Sequence, residues 1–287
     1  MNLKMNLATP IFKKTVSLCL FFSFLGWLSA QDIHYSMFDR SPMNMSPALV
    51  GVFGGDLRVT GNYRRQWHSV PVAFKTFSAT VEHKLATPKI KRGYVTGGLH
   101  FNYDDAGDLS LAQSQIGISG SYNFPLTKQD VNKHFLSLGL QLAFSQRNFN
   151  TQNLRVNLQF DGDGFNPNLP TQEDRFNDNA SHVNFSGGLN YRFQDLGTNQ
   201  NKRTRIDLGV AIYQLNTPNK SFDKGTTEPL EMRYSLYGIS SFKLTDQSDI
   251  GFLVSGQFQT PHEEIVVGVN WRKYFDDPFA LSVGHFS

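Results

Sequence analysis

The sequence predicts an all-β protein, an antiparallel transmembrane outer-membrane β-barrel, from three observations. Apolar and polar residues alternate with a period of two in one segment after another, several of these segments run about ten to fourteen residues, and an export signal precedes them. A period of two puts alternate side chains on opposite faces of a strand, and a tilted strand needs about nine to eleven residues to cross a bilayer.

The first element is the export signal. Lys4, Lys13 and Lys14 precede an uncharged apolar run from Val16 to Leu28, and Ser29 and Ala30 offer small residues for cleavage before Gln31, so residues 1–30 read as a signal peptide. The apolar run is short for a spanning helix, and no second run of spanning length follows. Cys19, the only cysteine, lies inside the signal, which leaves no thiol or disulfide chemistry to the mature chain. Loss of three lysines from a total of 27 basic and 24 acidic residues brings the mature charge close to zero, which removes support for nucleic-acid binding through a basic patch.

Residues 31–55, with Pro42, Pro47 and Gly51, read as an extended periplasmic amino-terminal segment that plugs the lumen or meets a periplasmic partner. The barrel domain is expected over 56–287, with eleven strands starting near residues 56, 73, 93, 109, 134, 180, 204, 231, 249, 263 and 278. The first sets the pattern: Leu57, Val59, Gly61, Tyr63 and Trp67 alternate with Arg58, Asn62, Arg64 and Gln66. Later strands repeat it, as in Leu136, Leu138, Leu140 and Leu142 against Ser137, Gly139 and Gln141, or Val183, Phe185 and Leu189 against Asn184, Ser186 and Asn190.

Two arrangements accommodate such strands. A secreted β-sandwich buries the apolar faces against each other, whereas a membrane barrel turns them outward to lipid and keeps a polar lumen. Strand length, the export signal and aromatics near strand ends (Tyr63, Trp67, Tyr103, Tyr122, Tyr191, Trp271, Tyr274) favour the barrel. Leu57, Val59 and Tyr63 then face lipid, and Arg58, Asn62, Arg64 and Gln66 face the lumen. The two longest connections, about 148–179 and 216–230, both follow odd-numbered strands and so lie at one end, as barrels with short periplasmic turns and longer outer loops require.

No catalytic constellation stands out. His262 and Glu263 begin a zincin-like string, but Val266 occupies the second histidine position. Ser221 and Lys224 match Ser-x-x-Lys without its companion motifs. Asp161 and Asp163 in "DGDGFN" are weak calcium ligands, because Phe165 stands where a third oxygen belongs and no glutamate closes the loop. His100 and Asp104 share a face and read as a paired lumen histidine. Arg58, Arg64 and Arg65 with Tyr63 and Trp67 read as lumen hydrogen bonding plus an interfacial anchor rather than a ligand cluster. No cofactor is expected.

"SPMNMSPALVG" (41–51), "RVTGNYRRQW" (58–67), "FKTFSATVEHKL" (74–85), "GGLHFNYDDAGDLSL" (97–111) and "YQLNTPNKSF" (213–222) resemble, in order, the pattern of the PorP/SprF family of outer-membrane proteins of Bacteroidota. The resemblance covers about Gln31 to Ser287 and rests on Ser41, Pro42, Pro47, Ala48, Gly51, Arg58, Asn62, Tyr63, Arg64, Gln66 and Trp67. Leu215, Asn216, Pro218, Asn219, Ser221 and Phe222 complete it. The chain departs from the family at Ser46, where an asparagine is usual, and at Gln214, where a histidine is usual. Family members also continue beyond a segment like "ALSVGHFS", and bacterial single-chain barrels have even strand counts, so the chain is expected to lack its last strands.

The resemblance implies a non-enzymatic role in type IX secretion and gliding motility, supporting a large surface adhesin and contacting periplasmic machinery, a peptidoglycan-associated lipoprotein among the candidate partners. A lumen crowded by Arg, Tyr and Gln is too narrow for a folded protein. The alternatives are a passive small-solute porin and a secreted β-sandwich binding protein.

Overall fold

The structure, a computed structural model, describes residues 38–66, 74–85, 92–106, 111–127, 132–148, 179–195, 203–223, 225–275 and 280–286, with positions 159, 160, 162, 164–166 and 169. The expected signal peptide at 1–30, Trp67, Asp161, Asp163 and Lys224 lie outside the described residues.

Eleven strands form one antiparallel sheet in sequence order: β1 Leu57–Gln66, β2 Phe74–Leu85, β3 Tyr94–Ala106, β4 Leu111–Pro125, β5 Asn132–Asn148, β6 Asn179–Asp195, β7 Thr204–Tyr213, β8 Arg233–Thr245, β9 Ser248–Gln259, β10 His262–Tyr274 and β11 Ala280–Phe286. Each start lies within two residues of its expected place, because turn-forming clusters bracket each alternating run. Each strand pairs only with its sequence neighbours, so β1 and β11 are the two edges of the sheet among the described residues. The longest ladder joins β5 to β6 without a break from Asn132↔Asp195 to Asn148↔Asn179. Seventeen residues at ~3.3 Å each span about 55 Å, well beyond a ~30 Å hydrocarbon core.

The faces are inverted relative to a water-soluble sheet. Leu140 is 72 % exposed, Val59 and Ile265 67 %, while the intervening Ser145 and Asn190 are fully buried. A continuous band of this kind exceeds what a water-soluble surface tolerates and marks contact with lipid or another apolar partner. The polar face is the inner one, and Arg58 and Asn62 project from β1 into hydrogen bonds there. Leu140→Arg at the middle of β5 is expected to cost about 2–4 kcal/mol, the cost of placing a cation at the bilayer midplane. Equilibrium refolding into lipid vesicles measures it, and an unchanged free energy would remove Leu140 from the lipid face.

Residues 38–53 occupy the concavity. They are not extended: a 3₁₀ turn at Phe38–Arg40, a short helix α1 at Pro42–Met45 and a 3₁₀ turn at Pro47–Leu49 succeed one another. The two prolines, which suggested extended chain, instead begin helical turns, where the fixed proline φ suits the first position and its missing N–H is not needed. Ser46 caps the second turn, its Oγ accepting from the Ala48 N–H at 3.2 Å. Phe38, Met45, Leu49 and Val52 pack with Tyr237 and Leu253, which project inward from β8 and β9, in an apolar cluster on the inner face. Leu253 points inward between the outward Phe252 and Val254, because the segment 38–53 gives an inward leucine something to bury against.

Candidate functional site

The site is the seam between the segment 38–53 and the inner face. Short helical turns leave most of their carbonyl oxygens without partners, and a buried carbonyl must find a donor. Side chains from six strands supply them. Asn62 of β1 donates to the Arg40 carbonyl at 3.0 Å, Tyr213 of β7 to Met43 at 2.9 Å, and Arg58 of β1 to Leu49 at 3.3 Å. Ser121 of β4 reaches Val50, Tyr94 of β3 reaches Gly51 at 3.1 Å, Arg192 of β6 reaches Val52 at 3.2 Å, and Lys84 of β2 reaches Phe53 at 2.9 Å. Asn44 and Asn102 exchange amide hydrogen bonds at 2.8 and 3.1 Å. The segment is therefore held along its length by donors, not only by apolar contact.

Glu82 of β2 is the anchor. It is fully buried, accepts from Arg58 Nε at 2.8 Å and Nη2 at 2.7 Å, and accepts the Gly51 N–H at 3.0 Å. Arg58 and Glu82 face each other directly in the β1–β2 register, so the sheet pre-aligns the fork with the carboxylate. Gly51 itself has φ +80°, and a Cβ there would lie 2.0 Å from Thr96 Oγ1; only glycine fits both demands. Phe53 lies beneath the Arg58 guanidinium, 4.5 Å from ring centre, and the Lys84 ammonium, 5.0 Å.

A second charged chain runs from Val52 through Arg192 to Asp207, at 2.7 and 2.9 Å, then through Asn190 to the Tyr237 hydroxyl at 3.0 Å. The floor under the middle of the segment is glycine. Gly139 and Gly188 are register partners, and a Cβ on Gly139 would sit 2.2 Å from the Pro47 carbonyl carbon. The small residues on the polar face of the strands are thus the seat of the segment.

A profile of the type IX secretion system membrane protein PorP/SprF matches residues 28–285. The chain belongs to the PorP/SprF family. No curated protein matches it. Two solved structures are similar in part, both mutants of the ferric enterobactin receptor PfeA from Pseudomonas aeruginosa: G324V at 10% identity and TM-score 0.32, and R480A/Q482A at 11% and 0.31. Each alignment covers 81% of this chain and 39% of the receptor, so the chain spans about two fifths of the length of those receptors.

The family-motif residues of this PorP/SprF chain fall into two separate groups. Ser41, Pro42, Pro47, Ala48 and Gly51 are buried in the plugging segment, with Arg58 and Asn62 holding it. Arg64 and Gln66 continue the inner face of β1, half-buried, and Tyr63 points outward at 65 % exposure. The second group lies in the connection after β7, at the opposite end from the β6–β7 turn. Asn216 there extends the ladder, accepting from the Phe185 N–H at 3.1 Å and donating to the Val183 carbonyl at 2.7 Å. Asn219 accepts from the Ser221 and Glu228 N–H groups at 3.0 and 2.9 Å, and Lys220 N–H bonds to the Glu228 carbonyl, which closes 218–230 into a small hairpin. Pro218 contributes its carbonyl to Leu230, Leu215 bonds to the Phe185 carbonyl, and Phe222 lies 6.0 Å from the Arg147 guanidinium.

The pairing of His100 with Asp104 gives way to other partners: His100 Nε2 meets Gln141 Nε2 at 3.1 Å, and Asp104 accepts from Thr76 at 2.5 Å. Among the described residues no group of three His, Cys, Asp or Glu side chains is arranged to hold a metal ion. Glu82, Arg192, Asp207 and Gly139 were not singled out in the sequence. The available signal was a carboxylate at an inward position of β2 that becomes legible once β1 and β2 are put in register.

Proposed function

We propose that this protein is a non-enzymatic outer-membrane component of type IX secretion that acts through partners rather than as a conduit. It supports export or surface attachment of a large adhesin, with a part in gliding motility, and its short-connection end faces periplasmic machinery such as a peptidoglycan-associated lipoprotein. One observation carries the reading: residues 38–53 fill the inner face and are fixed there by donors from six strands, which leaves a cargo protein no passage along that face. Membership of a secretion-system membrane family supplies the context.

The test compares the surface proteome of a strain lacking the gene with its parent and with the gene restored. Loss of one or a few large adhesins is expected, with other type IX cargo retained; loss of every cargo would make the protein part of the core machine. No change in any cargo overturns the reading. The porin alternative predicts solute conductance by the purified protein in planar bilayers, and the plugged inner face argues for none.

A further inference from the structure

At the short-connection end, between residues 39–54 and the inner faces of β1 and β6–β10, lies a cavity of about 290 Å³. Six arginines border it. Four have carboxylates: Arg58 has Glu82 at 2.7 Å, Arg192 has Asp207 at 2.7 Å, Arg203 has Asp249 at 2.9 Å, and Arg40 has Asp39 at 3.4 Å. That uses all three aspartates of the cavity wall.

Arg205 of β7 and Arg272 of β10 are left over. Among the described residues neither forms an ion pair, and Arg205 Nε is buried without a hydrogen-bond partner. Both side chains are half-buried along the cavity wall, and an arginine fork with free N–H groups is built for planar or tetrahedral oxyanions. Asp39, which Arg272 also feels, does not settle the balance: it already serves Arg40, and burial pushes its carboxyl above the usual range.

We propose that this cavity is a phosphate-binding site in which Arg205 and Arg272 supply the two unmatched positive charges and Arg192 and Arg203, fixed by their aspartates, form its walls. The charge decides the class: a phosphate monoester carries about −1.5 to −2 at neutral pH and offers three acceptor oxygens, which matches two spare cations better than a single carboxylate does. A water occupies roughly 30 Å³ of liquid, so the volume admits a phosphate group with a few waters. The group is either free phosphate or the head of a phospholipid reaching in at the end of the barrel.

The protein purified from membranes in detergent is titrated with inorganic phosphate and separately with dihexanoyl phosphatidic acid, at constant ionic strength balanced with chloride. Thermal unfolding and ³¹P line width are the readouts. One of the two is expected to raise the unfolding temperature and broaden its signal; a response to inorganic phosphate identifies the free ion, and a response to the lipid alone identifies a head group. Arg205→Gln and Arg272→Gln are each expected to unfold no earlier than the parent in chloride, since an unmatched charge is removed, yet to bind the responding phosphate about tenfold or more weakly, a difference of about 1.4 kcal/mol or more. Lys75→Gln, on the exposed start of β2 at the other end, keeps the full response. Absence of binding by both phosphates overturns the proposal. So does an unchanged affinity in both arginine variants, or earlier unfolding of both in chloride, which would show that each charge already has a partner.

Discussion

Glu82→Ala is expected to release residues 38–53 from the inner face and to lower the free energy of unfolding by about 3 kcal/mol. The substitution removes three acceptor interactions at once, orphaning the Gly51 N–H and leaving the Arg58 guanidinium without its carboxylate. Breaking a buried ion pair costs about 3–5 kcal/mol, and the lower end applies because the Arg58 side chain is 22% exposed and recovers some hydration. Denaturant unfolding in detergent measures the loss. Peroxide oxidation reports on the plug itself, since Met43 and Met45 are 0 and 2 % exposed in the intact protein and become reactive once the segment leaves. Arg58→Ala combined with Glu82→Ala should cost less than the two single losses added together, as partners in one interaction do. Unchanged oxidation and an unchanged midpoint in Glu82→Ala would remove the ion pair from the account of how the segment is held.

Gly139→Ala is expected to displace the turn at Pro47–Leu49 while leaving the sheet intact. The added methyl would meet the Pro47 carbonyl carbon at 2.2 Å, its oxygen at 2.3 Å and the Ala48 nitrogen at 2.4 Å, all main-chain atoms that move only if the turn moves. Overpacking of this kind costs about 1–3 kcal/mol. Gly188→Ala provides a graded comparison: its methyl meets one side-chain atom, the Ser46 Oγ at 2.5 Å, which can turn only by giving up its cap on Ala48, and comes no nearer than 3.2 Å to main chain, so a smaller effect is expected. The measurement is again the oxidation rate of Met43 and Met45, read beside the heat-modifiable gel mobility that reports the barrel. Equal rates in Gly139→Ala and the parent would mean that the turn does not rest on this floor.

In both variants the surface level of the adhesin follows from the proposed function: a displaced segment should lower it even though the barrel remains in the membrane. The two readouts separate the role of the segment from the presence of the protein.

The sheet was legible because its signal is local. Alternation is written into each run, turn-forming clusters bracket it, and the order of an up-and-down sheet follows the order of the chain, so eleven starts fell within two residues of their places. The seam was less legible. Pro42 and Pro47 carry a fixed φ that suits extended chain and the first turn of a helix equally, and the choice was made by the strands around them. Leu253 and Tyr237 contradict a strictly polar inner face only because Phe38, Met45 and Leu49 lie opposite. In the Asn-x-Pro-Asn-x-Ser segment, Asn219 is the hydrogen-bonding core of a hairpin in the connection after β7, while Asn216 extends the β6 ladder.

By itself the sequence determined which residues are strands, which face of each is apolar and which connections are long, since all three depend on neighbours within one run of chain. The tertiary structure decided what the polar face is for. The pairing of Arg58 with Glu82, the glycine floor under Pro47, and the two arginines left without carboxylates bring together residues separated by tens of positions. Such contacts depend on the register and curvature of the whole sheet, a property that no single strand encodes.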